Sequence, residues 1–343
     1  MHDRLPAEPG STALNRRQWL ALATGLLAAP LAGAAAVQLQ RRALFGSPVD
    51  LLLPAAAPAG AAAAVWQGLE RIHHEWNAWK PGALQRLNQA LREGRPATVA
   101  PALRTMIQRA AVLEQASFGL FNPAIGGLVG AWGFHADQLQ PGARPDAARL
   151  ARWQRAAPSL AQLELRGDQL RSHNPGLQLD FGAYAKGVAI DWAFDRLQRL
   201  GVQDALLNLG GNLAAMGSPG GRPWQVGVRD PHGPGLLATL QTRGREAVVT
   251  SGSYERCRLV DGERASHILD PQQGAPAQAL VSVTVVHPSA ALADAAATAL
   301  LVAGPARWRP VAQRMGVQLV LLVDAHGRIE ASEALAPRLQ RVY

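Results

Sequence analysis

Apolar residues at Val188, Ile190, Ala193, Phe194 and Leu197 fall near the spacing of one helix face, so the segment 183–200 predicts a helix entered through a turn at Gly182. Longer amphipathic patterns over 61–79, 83–92 and 101–117 make the first third mostly helical after one strand at 48–54. The stretch from Phe121-Asn122-Pro123 to Trp132-Gly133-Phe134 is turn-rich and reads as a tight, packed corner. From 163 the pattern changes to short alternating runs. Breaks at Gly167-Asp168 and Asn174-Pro175-Gly176 divide 163–180 into a hairpin and a third strand. Strands follow at 205–209, 213–216, 224–228, 236–241 and 247–250, with Gly210-Gly211 between the first two marking a close backbone approach. The last third predicts a strand at 281–287, helices at 290–302 and 305–315, and closing strands at 317–323 and 328–331. Runs of strands with helices on one side, without regular βαβ alternation, predict an α+β fold. No linker, charge run or internal repeat separates two halves, so a single elaborated domain is expected over 37–343, with mixed or antiparallel sheets flanked by helices.

Residues 1–36 read differently. Arg16-Arg17 precede an apolar run from Trp19 to about Leu31 that ends in Ala32-Gly33-Ala34-Ala35-Ala36, the pattern of a twin-arginine-type export signal. Periplasmic location is the expectation, with an uncleaved inner-membrane anchor as the alternative. The single cysteine, Cys257, excludes an internal disulfide and a lipid-modified cysteine after the signal, so stability must come from the core. A formal charge of +9 would suit a nucleic-acid partner, but the basic residues are scattered arginines, with lysine only at Lys80 and Lys186. That distribution argues against nucleic acid and leaves small anions or anionic headgroups as the partners a basic surface favours.

Three segments carry candidate chemistry. In the run from Asp180 to Gly187, DFGAYAKG, a strand ends in a glycine turn and a helix begins, which aims backbone N–H groups and Lys186 at whatever lies above the turn; helix N-termini favour phosphate for that reason. It is not a Walker A loop, and its plain structural reading is Asp180 as a helix cap and Lys186 as a solvated helix residue. His267 precedes Ile268-Leu269-Asp270-Pro271, a corner fixed by proline, where an imidazole can act as general base near neutral pH. Asp294 and Thr298 lie four residues apart and so on one helix face, where a carboxylate and a hydroxyl could hold Mg²⁺ together with phosphate oxygens and water. Taken alone, each is also an ordinary polar position near a helix start.

Taken in order, these segments resemble the ApbE family, exported FAD:protein FMN transferases. The likeness runs through Leu44-Phe45-Gly46-Ser47, Arg86-Leu87-Asn88, the 121–134 corner, 179–191, Asn208-Leu209-Gly210-Gly211-Asn212, 224–231, Thr250-Ser251-Gly252-Ser253-Tyr254-Glu255, 267–274 and 293–300. It implies an α+β domain around one flavin site and a requirement for Mg²⁺. FAD would be the substrate, attacked at the riboflavin-side phosphorus by a threonine or serine hydroxyl of a target protein, with AMP leaving. On that resemblance Asp294, Thr298 and the Ala183 carbonyl would hold the metal, His267 would be the base, and Lys186 would offset phosphate charge. Phe45, Asp180, Gly182, Ala183, Lys186, Gly210, Gly211, Ser251, Gly252 and His267 would line the FAD cleft. Acceptors would be electron-transfer proteins of the Rnf, sodium-pumping quinone reductase or nitrous oxide reductase maturation kinds. The chain departs from the usual family pattern at Phe45-Gly46-Ser47 (commonly Met-Gly-Thr), Asn122 (often Asp) and Gln273 (usually Thr). Two other outcomes use the same parts: a hydrolase that splits FAD to FMN and AMP, and an exported FAD carrier without turnover.

Overall fold

Side-chain alternation sorts the apolar residues into two layers. The computed structural model describes residues 37–341, and its frame is an eight-stranded sheet. Its strands are β1 (Val37–Leu44), β2 (Ser47–Pro54), β3 (Ala205–Leu209), β4 (Asn212–Met216), β5 (Glu246–Gly252), β6 (Leu280–His287), β7 (Leu319–Asp324) and β8 (Ile329–Ala331). They lie side by side in chain order, each antiparallel to the next. Val49, Leu51, Leu207, Leu209, Val249, Val283, Val285 and Leu322 enter the larger core, and their neighbours Leu52, Leu206, Val248, Val286 and Leu321 enter a second one. This is the period-2 consequence of the pleat.

The larger core is covered by helices α1 (Ala61–Glu75), α2 (Ala83–Arg92), α3 (Pro101–Ala116), α6 (Ala185–Arg199) and α7 (Ala290–Arg314); two shorter helices, α4 (Gly126–Ala131) and α5 (Ala147–Ala156), lie between α3 and α6 in the chain. The second core is closed by a three-stranded sheet containing Gln225–Arg229 and Leu236–Gln241, through Trp224, Val226, Val228 and Leu240. A third cluster joins Leu128, Trp132 and Phe134 to Val260 and Ala265 of a hairpin, Cys257–Val260 with Glu263–Ser266. The α+β expectation therefore stands, with every strand pair antiparallel. The only parallel contacts among the described residues are isolated bridges, Ile125 to Gln178 and Gly142 to Val260.

The differences from the sequence expectation have physical causes. No strand forms at 177–180, because the buried Asn88 amide takes both backbone groups of Leu179: Leu179 N–H donates to Asn88 Oδ1 and Asn88 Nδ2 donates to the Leu179 carbonyl, each at 2.8 Å. The two helices expected at 290–302 and 305–315, by contrast, are both present as the two halves of α7, which meet at Gly304, whose φ of 71° and ψ of 177° are non-helical and precede Pro305. Strand β1 and the 257–266 hairpin had no expectation. The export-signal expectation for 1–36 lies outside the described residues. Among those described, no helix is long and apolar enough to cross a membrane.

Candidate active site

The site is built at one end of the sheet, where two two-residue hairpin loops meet. Phe45-Gly46 (φ 55° and 71°) joins β1 to β2, and Gly210-Gly211 (φ 59° and 96°) joins β3 to β4. Loops with φ above zero at both positions match the strand twist and suit glycine. The Gly210 N–H donates to the Pro48 carbonyl at 3.1 Å, and a Cβ at 210 would lie 2.3 Å from Ser47 Oγ, so the approach is closed to any larger residue. Phe45, a non-glycine in this strained region, is held by an N–H donation to His73 Nδ1 at 3.2 Å and an edge-to-face contact with the same ring. Because an amide only donates, that nitrogen of His73 carries no proton; burial pushes the His73 pKa down.

From Leu179 the chain enters the glycine turn. Asp180 Oδ1 accepts from Gly182 N–H at 2.8 Å and Oδ2 pairs with His135 Nε2 at 2.8 Å. His135 stacks on Trp79, with centroids 4.9 Å apart, and the Arg256 guanidinium lies 5.9 Å from the same indole. The expected row of free N–H groups is mostly occupied: Gly182 donates to Asp180, Tyr184 and Ala185 to the Phe181 carbonyl, and Gly187 to Asp294 Oδ2. Asp180 is thus an organiser of the turn, and helix α6 is capped from a distance.

That distant cap is Asp294. The residue is 3 % exposed, not on a helix surface as the sequence suggested, because α6 and α7 cross with backbone contact at Gly187. A Cβ there would meet the Ala290 carbonyl oxygen at 2.3 Å and Ala291 Cα at 2.7 Å. Burial holds the Asp294 pKa above the ordinary carboxylate value, against the opposing pull of Lys186, the Gly187 N–H and the Asn212 amide. Since the Gly187 N–H is committed to Asp294, the Ala183 carbonyl four residues back is left out of the helix ladder. Thr298 Oγ1 lies 3.1 Å from Ser251 Oγ at the end of β5, and Gly252 follows, its Cα packed under the Tyr254 ring. The buried Trp79 Nε1 has no hydrogen-bond partner.

His267 is held by a different set of contacts. Its Nδ1 lies 3.1 Å from the Arg256 carbonyl, which also accepts the His267 backbone N–H at 3.0 Å. A carbonyl only accepts, so Nδ1 carries the proton and Nε2 is left as the basic atom. Burial, then the charges of Lys186 and Arg256, push the pKa down to about 4, so the ring is neutral at pH 7. Arg256 is itself fixed, donating to the carbonyls of Phe134 at 2.8 Å and of Ala136.

One carboxylate, one free carbonyl and one hydroxyl form a small, hard donor set suited to a Mg²⁺ that keeps other oxygen ligands. Among the described residues no group of three or more His, Cys, Asp and Glu could hold a metal. The structure joins the 183–187 turn to Asp294 through the Gly187 N–H and sets Ser251 beside Thr298, while the contacts of His267 are with Arg256 and Phe134; Phe45 joins this end of the sheet through Ser47 and Gly210. Sequence reasoning missed Trp79, His135, Gly187, Asn212 and Arg256. Asn212 closes the Asn-Leu-Gly-Gly-Asn run and His135 follows Trp-Gly-Phe, so both stood inside motifs read as turns or packing.

Gly187→Ala should destabilise the protein. Overpacking against backbone costs about 1–3 kcal/mol, which outweighs the roughly 1 kcal/mol that alanine gains over glycine in a helix. A thermal melt should show a lower midpoint with loss of activity, and a raised midpoint would contradict the close crossing.

Residues 45–321 match the model of the ApbE family. Two curated relatives are both named FAD:protein FMN transferase. The one from Rhodobacter capsulatus is 43% identical over 290 residues, covering 84% of this chain and 55% of that protein. The one from Treponema pallidum is 34% identical over 268 residues, 71% of this chain and 72% of that protein. The chain thus spans about half the length of the Rhodobacter relative. Among solved structures, the ApbE protein of Thermotoga maritima aligns with a TM-score of 0.81 at 27% identity, covering 89% of this chain and 100% of that one. The apo flavinyl transferase ApbE of Pseudomonas stutzeri gives 0.77 at 29% identity, over 88% and 96%.

Proposed function

The chain belongs to the ApbE family, and from that premise we propose that it transfers FMN from FAD to a threonine or serine hydroxyl of an acceptor protein and releases AMP. The observation that carries the reading is the hydrogen bond from Gly187 N–H, the residue after Lys186, to the buried Asp294 carboxylate at 2.9 Å, which ties the lysine-bearing turn to α7. A lysine, a helix start and a metal-suited carboxylate are thereby held in one place, a combination suited to a pyrophosphate.

In the proposed reaction the acceptor oxygen forms a bond to the riboflavin-side phosphorus while the bond from that phosphorus to the bridging oxygen breaks. The bridging oxygen leaves with AMP, and the hydroxyl proton passes to His267 Nε2. Asp294, the Ala183 carbonyl and Thr298 would hold Mg²⁺, which when bound offsets charge on the departing phosphate. Lys186 contributes a second positive charge, and Ser251 orients the Thr298 hydroxyl. The unpartnered Trp79 donor leaves a polar group for a bound dinucleotide to satisfy, and open space beside Gly211 leaves room for it. The arginine-flanked apolar run in 1–36 is the basis for proposing export to the periplasm, where electron-transfer proteins of the Rnf, sodium-pumping quinone reductase or nitrous oxide reductase maturation kinds would be the acceptors.

The test is incubation with FAD, Mg²⁺ and an acceptor domain bearing an exposed threonine, following AMP release and in-gel flavin fluorescence together. AMP with a fluorescent acceptor band is the expected result. AMP without a band on any acceptor would replace transfer by hydrolysis, and bound FAD with no AMP would make the protein a carrier.

A further inference from the structure

Helices α6 and α7 cap each other. Asp294, from α7, accepts the Gly187 N–H in the first turn of α6 at 2.9 Å. Asp191, one turn further along α6 on the same side as Gly187, returns the contact: it accepts from Ser289 Oγ at 2.8 Å and from the backbone N–H groups of Ala290 and Ala291 at 3.0 Å each. These are the opening residues of α7, which a side chain must satisfy because no earlier turn exists to do so. Ser289 in turn caps Leu292 N–H. On its other side Asp191 is anchored by Arg245, whose Nη2 donates to the Asp191 carboxylate at 3.3 Å and to its backbone carbonyl at 3.2 Å.

We propose that Asp191 is a positioning residue for the metal site: it fixes the start of α7 against α6, and thereby sets where Asp294 stands relative to the Ala183 carbonyl. Asp294 comes from α7 and Ala183 from the turn that enters α6, and Gly187 lets the two helices touch backbone to backbone. Rotation or sliding at this contact would change the Asp294 to Ala183 separation directly, and Asp191 is the charged bond across it. Its place outside the donor set distinguishes it from a ligand. The proposal rests on the reading of Asp294, Ala183 and Thr298 as the Mg²⁺ ligands.

The test compares Asp191→Asn, Asp191→Ala and Asp294→Asn in the whole protein. Mn²⁺ binding is followed by loss of the free-ion EPR signal with FAD present and acceptor withheld, alongside the Mg²⁺ concentration that gives half-maximal transfer. Removing a partner that orients a ligand typically weakens metal binding 10–100-fold. Asp191→Ala should weaken Mn²⁺ binding and raise the Mg²⁺ midpoint by a factor in about that range, with kcat recovered at saturating Mg²⁺. Asp191→Asn, which keeps an acceptor oxygen, should fall between it and the parent. A lower melting temperature with an unchanged metal midpoint in both Asp191 variants would make the residue merely structural and overturn the proposal. Should Asp191→Ala not fold, Asp191→Asn and Ser289→Ala decide by the same criterion. An unchanged Mn²⁺ midpoint in Asp294→Asn would instead remove the ligand assignment itself, and the proposal with it.

Discussion

Asp294→Asn should raise the melting temperature of the metal-free protein while removing Mg²⁺-dependent transfer. The carboxylate is buried and its pKa is raised by that burial. The native state therefore binds more protons than the unfolded one between the unfolded value, about 3.9, and the folded value. Stability from this group is fully present below the unfolded pKa and declines as pH rises through the folded pKa. Above the folded pKa the ionised form is a cost that asparagine avoids, while its carbonyl oxygen still accepts the Gly187 N–H. A gain of about 1 kcal/mol is expected, or roughly 2–4 °C. It should shrink toward zero as the pH is lowered. Loss of the charged metal donor should lower transfer by about 10² to 10³, the equivalent of roughly 3–4 kcal/mol. Thermal melts at pH 5 and pH 7.5, with kcat/KM at several Mg²⁺ concentrations, decide the matter. A destabilised, fully active variant would refute both halves. Asp294→Ala is the less informative change, because it also strands the Gly187 N–H.

The same residue marks where sequence reasoning stops. Periodicity placed α2, β3 and the 236–241 strand at their observed limits, because local spacing and flanking turns decide such elements. Periodicity also put Asp294 and Thr298 on one helix face, but not inside the protein. The burial of Asp294 follows from the crossing at Gly187, a tertiary contact between residues about a hundred positions apart that a single helix pattern does not encode. His135 and Trp79 escaped for the same reason: their stacking joins the end of the 61–79 amphipathic segment to the residue after the 121–134 corner, a contact neither local pattern encodes. Asn88 stood in a quoted motif, yet its substitution for a strand partner of Leu179 depends on a side chain reaching across from another helix. What was legible was the set of residue types and their order; what was not was which backbone groups each side chain would occupy.

His267→Ala should slow transfer by about 10² to 10⁴, the contribution expected of a positioned general base. The argument rests on the ring's orientation. With Nδ1–H committed to the Arg256 carbonyl, only Nε2 is free to take the acceptor proton, and small imidazoles added to the alanine variant should restore part of the rate. The pH profile supplies an independent check. The pKa of about 4 lies below the ordinary histidine value near 6.5, so the neutral, competent form persists as pH falls through 6.5 and is lost only near 4. An acid limb in kcat/KM, which reports the free enzyme, should therefore not appear near 6.5 on account of this residue. Asp294 titrates in the opposite sense. Its raised pKa means that protons compete with metal as pH falls, so a limb from Asp294 should move to lower pH as Mg²⁺ increases, whereas the His267 limb should not. Bound FAD adds negative charge beside the imidazole and favours its protonated form, which should place the His267 limb of kcat above that of kcat/KM. A limb near 6.5 that disappears in His267→Ala and ignores Mg²⁺ would show the ring to be ordinarily basic, and would assign its burial and its two cationic neighbours no influence on the reaction.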